Sequence, residues 1–112
     1  ALELDFVLIS GGTSKGEGDL NYRVFEKYNN PGILVHGVAL KPGKPLCLAI
    51  LAGTPAAILP GFPTSATFTF SKFIAPVLRA MAGRLPEPTT HVKANVPVRL
   101  NSDKGRTEFN LV

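Results

Sequence analysis

The stretch DFVLISGGTSKGEGD, residues 5–19, decides the fold of this chain. Residues 5–10 form a short, continuous apolar run, which is typical of a strand buried on both faces in an α/β sheet. Gly11 and Gly12 stop this run, and Asp19 is a residue type that caps helix N-termini. A strand, a glycine-rich loop and a helix in this order predict an α/β fold.

The helix predicted after the glycine-rich loop is short and amphipathic. Its apolar residues follow the three-to-four spacing of one helix face: Leu20, Val24, Phe25 and Tyr28. The sequence NNPG at residues 29–32 ends it, because asparagine, proline and glycine favour turns.

Further strands are predicted from the apolar runs that follow. Residues 33–40 (ILVHGVAL) are expected to form a second strand, and the prolines of the next loop, KPGKP at residues 41–45, stiffen that loop. Residues 46–51 and 55–59 are apolar segments on either side of Ala52-Gly53-Thr54, which predicts an antiparallel hairpin with a tight glycine turn.

A second, longer helix is predicted after the loop PGFPTS at residues 60–65. Thr64 or Ser65 can cap it, Pro76 is expected to kink it, and Gly83 can supply a left-handed C-terminal cap after about Ala82. Its apolar stripe is expected to pack against the sheet: Phe70, Phe73, Ile74, Val77, Leu78 and Met81.

The sequence changes character after residue 84. Residues 85–90 (LPEPTT) have the composition of an interdomain linker, which places a domain boundary near residue 84. Apolar residues then alternate with polar ones over residues 91–100 and again over 107–112, which predicts two antiparallel strands of an all-β unit. Two strands alone are marginally stable in water, so this unit is expected to be incomplete.

Composition excludes several classes of protein. The 112 residues carry a net charge of +4, but the 12 Lys and Arg are scattered, and no basic stripe interleaved with aromatic residues indicates nucleic-acid binding. The single cysteine, Cys47, excludes an intrachain disulfide and fits a reducing compartment. No apolar run spans a bilayer, so a cytoplasmic protein without a membrane partner is expected.

Three loops after apolar runs carry the predicted chemistry: residues 11–19, 41–45 and 60–65. In open α/β sheets such loops converge at the carboxyl ends of strands. Glycine lets backbone amides approach a ligand, hydroxyls donate hydrogen bonds, and Lys15, Lys41 and Lys44 add positive charge. The pattern favours phosphate or a similar tetrahedral oxyanion. Asp19 could equally be a plain helix cap or a cation ligand, and the two loop lysines could simply be solvated turn residues.

The order and the sequences of these loops resemble those of the molybdopterin molybdenumtransferase family, which includes MoeA and gephyrin. DFVLISGGTSKGEGD, KPGKP and LPGFPTS are similar to the family's motifs, and the sequence GRTEF at residues 105–109 is similar to the step that opens its C-terminal β-barrel. One departure is Phe62, which stands where the family usually has asparagine. Any side-chain hydrogen bond made by that asparagine is therefore lost here.

The resemblance implies a fold and a domain division. Residues 1–84 would be the C-terminal part of a three-layer α/β/α molybdopterin-binding domain with a mixed sheet, similar to MogA. Residues 85–112 would be the first strands of a truncated β-barrel domain. Much of the family's chain would then be missing, so we expect the 112-residue chain alone to be inactive and the intact protein to be a homodimer.

The resemblance also implies an activity, in which molybdate is inserted into adenylylated molybdopterin with release of AMP in a Mg²⁺-dependent step. Carried over by position, the pterin phosphate or adenylate would be bound by Gly11, Gly12, Thr13, Ser14 and Gly16. Asp19 would be the catalytic residue and the ligand of Mg²⁺. Lys41, Lys44 and Arg106 would bind molybdate. The nucleotide side would be lined by Pro60, Gly61, Pro63 and Ser65.

Two alternatives remain open from the sequence. A molybdopterin adenylyltransferase shares the glycine-rich loop, although KPGKP followed by a barrel speaks against it. A non-catalytic scaffold of the same fold could retain dimer contacts while oxyanion binding is weak. His36, His91 and Cys47 are expected to have no role beyond packing, and the choice between molybdate and tungstate is open because lysines bind both oxyanions nearly equally.

Overall fold

The computed structural model describes residues 3–12 and 20–111. Its centre is a mixed four-stranded sheet in the order β1-β5-β4-β2. The sheet strands are β1 (Val7–Ser10), β2 (Gly32–His36), β4 (Cys47–Leu51) and β5 (Thr54–Leu59), and a separate two-stranded sheet pairs β3 (Leu40–Lys41) with β6 (Thr107–Glu108). The helices are α1 (Leu20–Glu26), α2 (Pro63–Thr69) and α3 (Ala75–Met81).

The predicted antiparallel hairpin is present as β4–β5, and it forms the middle of the sheet. Leu51 pairs with Thr54, so Ala52 and Gly53 alone form the turn, and both have positive φ (50° and 86°). Positive φ at both central residues is the geometry of a type I′ turn, whose twist matches that of the flanking strands. β5 also pairs with β1 in parallel, and β4 pairs with β2 in antiparallel.

Alternate residues of β5 point to opposite faces of the sheet, and each face is covered by a helix. Ala56 and Ile58 pack with Phe25 of α1, whereas Ala57 and Leu59 pack with Ile74. Ile74 belongs to the long helical segment of residues 63–81, which comprises α2, a π-helical turn and α3. The period-two alternation of a strand produces this division. The predicted three-layer α/β/α arrangement with a mixed sheet is confirmed.

The long helical segment after β5 is irregular, although not at the residue predicted. Between α2 and α3, residues Phe70–Ile74 form a π-helical turn, in which the Ala75 amide donates to the carbonyl of Phe70. Pro76 lies in the first turn of α3, where a missing N–H is tolerated. Gly83 (φ 69°) ends the helix, with Arg84 N–H donating to Arg79 O at 2.9 Å, as expected for a left-handed cap.

Several predictions about strands were wrong. β1 is not buried on both faces, since Leu8 is 42% exposed, because β5 is its only strand neighbour among the described residues. The second strand stops at His36 rather than Leu40 because the chain turns at Gly37, whose φ is 98°. Residues 91–100 form no strand, and β6 is two residues long and parallel to its partner rather than antiparallel.

The predicted apolar faces of the helices were only partly correct. In α1 the buried face is Phe25 with the half-buried Tyr22, whereas Leu20 and Val24 are 71% and 48% exposed. The face of α1 that meets the sheet is therefore formed by Tyr22 and Phe25, three residues apart. Leu20 and Val24 lie on a neighbouring face of the helix that points outward. In the long helical segment, Val77 and Met81 lie outside the contact and are likewise exposed.

Candidate functional site

The first and third of the predicted loops meet at one edge of the sheet. β1 and β5 are parallel, so their carboxyl ends coincide, and the Gly11 amide donates to Leu59 O at 2.9 Å. A Cβ added to Gly61 would lie 3.6 Å from the Cα of Gly11, so the two backbones are in van der Waals range. The side chain of Asn21 in α1 also donates to Gly11 O, at 3.4 Å.

The KPGKP loop lies at the same edge. β4 runs antiparallel to β5 and starts at Cys47, opposite Ile58, so the residues before β4 lie beside the end of β5. Gly43 fixes this loop against α2: its φ is 121°, and a Cβ there would lie 2.5 Å from Cγ2 of Thr69. Only glycine fits this position. By strand direction, the described parts of the three loops, residues 11–12, 41–45 and 60–65, lie at the same edge of the sheet.

Within the KPGKP loop, the side chain of Lys41 is held by two carboxylates. Its Nζ lies 3.0 Å from Asp103 Oδ2 and 3.0 Å from Glu108 Oε1. Hydrogen bonds to Asp103 and then Glu108 raise the pKa of Lys41, and the same contacts lower the pKa values of both carboxyl groups. Lys41 is thus charged but already neutralised by partners, a feature that the sequence pattern does not predict.

Lys44 and Arg106, the other two residues of the predicted molybdate site, are exposed. The backbone carbonyl of Lys44 accepts the Val38 amide at 2.8 Å, which closes the loop. Arg106 lies near enough to Asp103 to lower the pKa of that carboxyl group, after the larger effect of Lys41. Lys41 and Arg106 are 65 positions apart in the sequence, yet both lower the pKa of Asp103, Lys41 by direct contact and Arg106 only through its charge.

The third loop leads directly into α2. Pro60 is buried, Pro63 occupies the first turn of α2, and Ser65 is half-buried with its carbonyl accepting the Thr69 hydroxyl at 2.8 Å. Phe62 stands at the N-cap position without a side-chain cap bond, and it is 70% exposed. As expected from the sequence, no side-chain hydrogen bond is made at the N-cap of α2.

Four predicted site residues, Thr13, Ser14, Gly16 and Asp19, lie outside the described residues, as does Lys15. The described residues do not supply a metal site on their own, since no three His, Cys, Asp or Glu among them are grouped so that they could hold an ion. The role of Asp19 in binding Mg²⁺ therefore stays a prediction, and no chemical step is derived through that ion.

Cys47 and His36 are both packed against other residues of the fold. Cys47 is fully buried in β4, and burial raises the pKa of its thiol to about 11, which keeps it neutral and unreactive. His36 stacks obliquely on Tyr22, with ring centroids 4.7 Å apart. No helix within residues 3–12 and 20–111 is both long and apolar enough to cross a bilayer.

Of residues 103–109, only Arg106 was placed in this site from the sequence, and Asp103 and Glu108, the two carboxylates on Lys41, were missed. Thr107 and Phe109 donate backbone hydrogen bonds to Ala39 O and Lys41 O, at 2.9 and 2.8 Å. Phe109 also stacks on Phe68 of α2, with ring centroids 5.5 Å apart. The sequence signal that could have found these contacts is GRTEF, of which only the arginine was assigned to the site.

Comparisons with known proteins agree with this geometry. A family model described as "Probable molybdopterin binding domain" matches residues 1–80. The chain belongs to this family. The matched range of this molybdopterin-binding domain holds the whole four-stranded sheet and most of the helical segment that follows it.

Two relatives of this molybdopterin-binding domain are named molybdopterin molybdenumtransferases. It is 36% identical to molybdopterin molybdenumtransferase 2 of Mycobacterium tuberculosis over 114 residues, covering 97% of the chain and 28% of that protein. It is 32% identical to the molybdopterin molybdenumtransferase of Haemophilus influenzae over 108 residues, covering 96% of the chain and 26% of that protein. The chain thus spans about a quarter of the length of these relatives.

A solved structure is also similar to this molybdopterin-binding domain. It is the molybdopterin biosynthesis MoeA protein from Pyrococcus horikosii, with a TM-score of 0.60 and 39% identity, over 71% of this chain and 19% of that chain. The mixed sheet and the covering helices are therefore shared with a MoeA protein.

Proposed function

We propose that the intact protein carrying this chain is a molybdopterin molybdenumtransferase, which inserts molybdate into adenylylated molybdopterin and releases AMP. The observation that carries the proposal is the convergence of the Gly11–Gly12, KPGKP and Pro60–Gly61 loops at one edge of the sheet. Relatives with this name match along almost the whole chain, and this favours the molybdenumtransferase over the adenylyltransferase alternative.

The two glycine-containing loops are proposed to bind the pterin phosphate and the nucleotide. Backbone amides at Gly11, Gly12 and Gly61 can approach an anion closely because no side chain intervenes. Thr13, Ser14 and Gly16 would extend the phosphate-binding loop, and Pro60, Pro63 and Ser65 would line the nucleotide side. Asp19 is proposed as the catalytic residue and the ligand of Mg²⁺.

Lys41, Lys44 and Arg106 are proposed to bind molybdate. A dianion held by several cations gains charge-assisted hydrogen bonds, which are about twice as strong as neutral ones. The contact of Lys41 with the carboxylate of Asp103 supports a site for negative charge at this position. A homodimer located in the cytoplasm is proposed for the intact protein, in line with its resemblance to the MoeA and gephyrin family.

The proposal is tested by replacing both loop lysines, Lys41→Ala with Lys44→Ala, in the full-length protein. Each lost charge-assisted hydrogen bond contributes about 1.5–3 kcal/mol, so molybdate affinity measured by calorimetry should fall at least about tenfold. The matched control is Lys27→Ala with Lys93→Ala, which removes the same charge at exposed positions outside the loops. It should leave the affinity unchanged.

Two results would count against the proposal. Equal molybdate affinity in the loop variant and the wild-type protein would exclude Lys41 and Lys44 as ligands of the oxyanion. A wild-type full-length protein that gives no heat with AMP, Mg²⁺ and molybdate would favour the non-catalytic scaffold instead.

A further inference from the structure

Asp103 is paired with Lys41, one of the cations proposed to bind the oxyanion. Its Oδ2 lies 3.0 Å from Lys41 Nζ. The pKa of Asp103 is lowered first by the hydrogen bond from Lys41 and, more weakly, by the charge of Arg106. A carboxylate of the protein therefore sits where a bound anion would meet the same ammonium group.

The two carboxylates on Lys41 differ in how firmly they are held. The Glu108 side chain is only 10% exposed, and its Oε2 also accepts the Asp103 amide at 3.2 Å. The Asp103 side chain is 56% exposed and projects from a turn that precedes β6. Glu108 is thus an inner, fixed partner of Lys41, whereas Asp103 is an outer one.

The position of Glu108 is set by the pairing of β6 with β3. Backbone hydrogen bonds on either side of Glu108, from Thr107 to Ala39 and from Phe109 to Lys41, fix its backbone beside the lysine. Phe109 is further held by its stacking on Phe68 and by Lys72, whose Nζ lies 4.8 Å from the ring centroid. The side chain of Asp103 lies before this paired segment and can leave Lys41 without breaking the backbone pairing or the bond from the Asp103 amide to Glu108.

We propose that Asp103 occupies the oxyanion position on Lys41 and is displaced when a tetrahedral dianion binds, while Glu108 keeps the lysine in place. This inference rests on the proposed function, because it concerns the affinity of the same site. Glu108 already occupies one side of the Lys41 ammonium, so a dianion and the Asp103 carboxylate would compete for its remaining hydrogen-bond donors and repel each other. Asp103 therefore sets the affinity of the site by competing with the substrate oxyanion.

The test is Asp103→Asn in the full-length protein, with molybdate as the titrant in calorimetry. Exposed ion pairs are weak, so removing the competitor should raise molybdate affinity by about two- to fivefold. In a Lys41→Met background the same substitution should give no gain, because the competition acts through Lys41. Glu87→Gln is the matched control, since it removes a carboxylate paired with Arg79 and should leave the affinity unchanged.

In turnover, Asp103→Asn should lower the KM for molybdate and leave kcat unchanged, whereas a merely structural role would not separate the two. Asp103→Ala provides a second variant, and thermal unfolding shows whether each variant is folded. Unchanged affinity in both Asp103 variants would overturn the inference, as would a gain that persists without Lys41. If the Asp103 variants fail this test but the variant with Lys41→Ala and Lys44→Ala still binds molybdate more weakly than the wild-type protein, the proposed function stands. A wild-type protein that binds no molybdate overturns both the proposed function and this inference.

Discussion

The β4–β5 hairpin and residues 91–100 are both predicted as strands, the hairpin from continuous apolar runs and the later segment from alternation, but only the hairpin forms strands. In β4, the alternate residues Cys47, Ala49 and Leu51 are all buried at the centre of the sheet. In the later segment, Val96 and Val98 occupy equivalent alternate positions and are 52% and 64% exposed. Alternation therefore indicates that a segment suits a sheet, and the availability of a partner strand decides whether it joins one.

The partner of β4 is supplied by the adjacent sequence. A two-residue turn returns the chain directly into β5, so the pairing closes only a short loop. Residues 91–100 follow a proline-containing linker, and among the described residues no adjacent segment returns to pair with them. These two features separate a local hairpin from a segment that remains outside a sheet.

The largest expected effect tests this contrast in the core. Ile58→Ala should lower the free energy of unfolding of the 112-residue chain by about 2–5 kcal/mol, because Ile58 is fully buried in β5. Val98→Ala removes apolar atoms at an exposed position and should change it by less than about 0.5 kcal/mol. Urea denaturation measures both values, and comparable losses at the two positions would mean that residues 91–100 share a packed core.

A smaller effect is expected at two glycines with positive φ, one in the KPGKP loop and one in the turn before β6. Gly43→Ala should lower the free energy of unfolding by about 2 kcal/mol, because its Cβ would collide with Thr69 as well as strain the backbone. Gly105→Ala meets no atom within 4 Å and should cost about 1 kcal/mol or less. Adding Thr69→Ser, which removes the methyl group but keeps the hydroxyl, should recover part of the Gly43→Ala loss.

The absence of such recovery would show that the KPGKP loop does not rest on Thr69. The same urea experiment measures the double variant, and Thr69→Ser alone serves as its control.

The smallest expected effect concerns one of the contacts between the segment after residue 84 and the rest of the chain. Phe109→Ala removes the stack on Phe68, and such pairs contribute about 0.5–1.5 kcal/mol. Hydrogen exchange at the Thr107 amide, which is bonded to Ala39 O, should therefore accelerate by about tenfold while amides of β5 keep their protection. Leu111→Ala, at a residue that is 81% exposed, is the control and should leave exchange unchanged. Equal acceleration in both variants would show that the stack does not hold this segment.

Much of the fold could be predicted because it depends on local signals. The Ala52–Gly53 turn, the glycine-rich stop at Gly11 and the left-handed cap at Gly83 each act within a few residues, and all three lie where the sequence places them. The burial of β1 and the helix faces depends on which elements are neighbours. A residue such as Leu8 or Val24 carries no signal of its own that identifies those neighbours.

The candidate site could be predicted only at the level of its loops. Strand direction brings Gly11, Gly61 and Gly43 to one edge, and the motif order indicates this in advance. The partners of Lys41 could not be predicted, because Asp103 and Glu108 are more than 60 positions away and lie in a segment assigned to a different domain. Contacts between distant segments depend on tertiary packing, which no spacing rule describes.

The pairing of β3 with β6 also has a consequence for the order of folding events. It joins Leu40 to Thr107, which are 67 positions apart, whereas the hairpin joins Leu51 to Thr54. By polymer statistics, closing the longer connection costs about 3 kcal/mol more chain entropy, and a two-residue ladder returns little of it. The segment of residues 103–109, which reaches Lys41, should therefore attach after the sheet has formed and detach before the sheet unfolds.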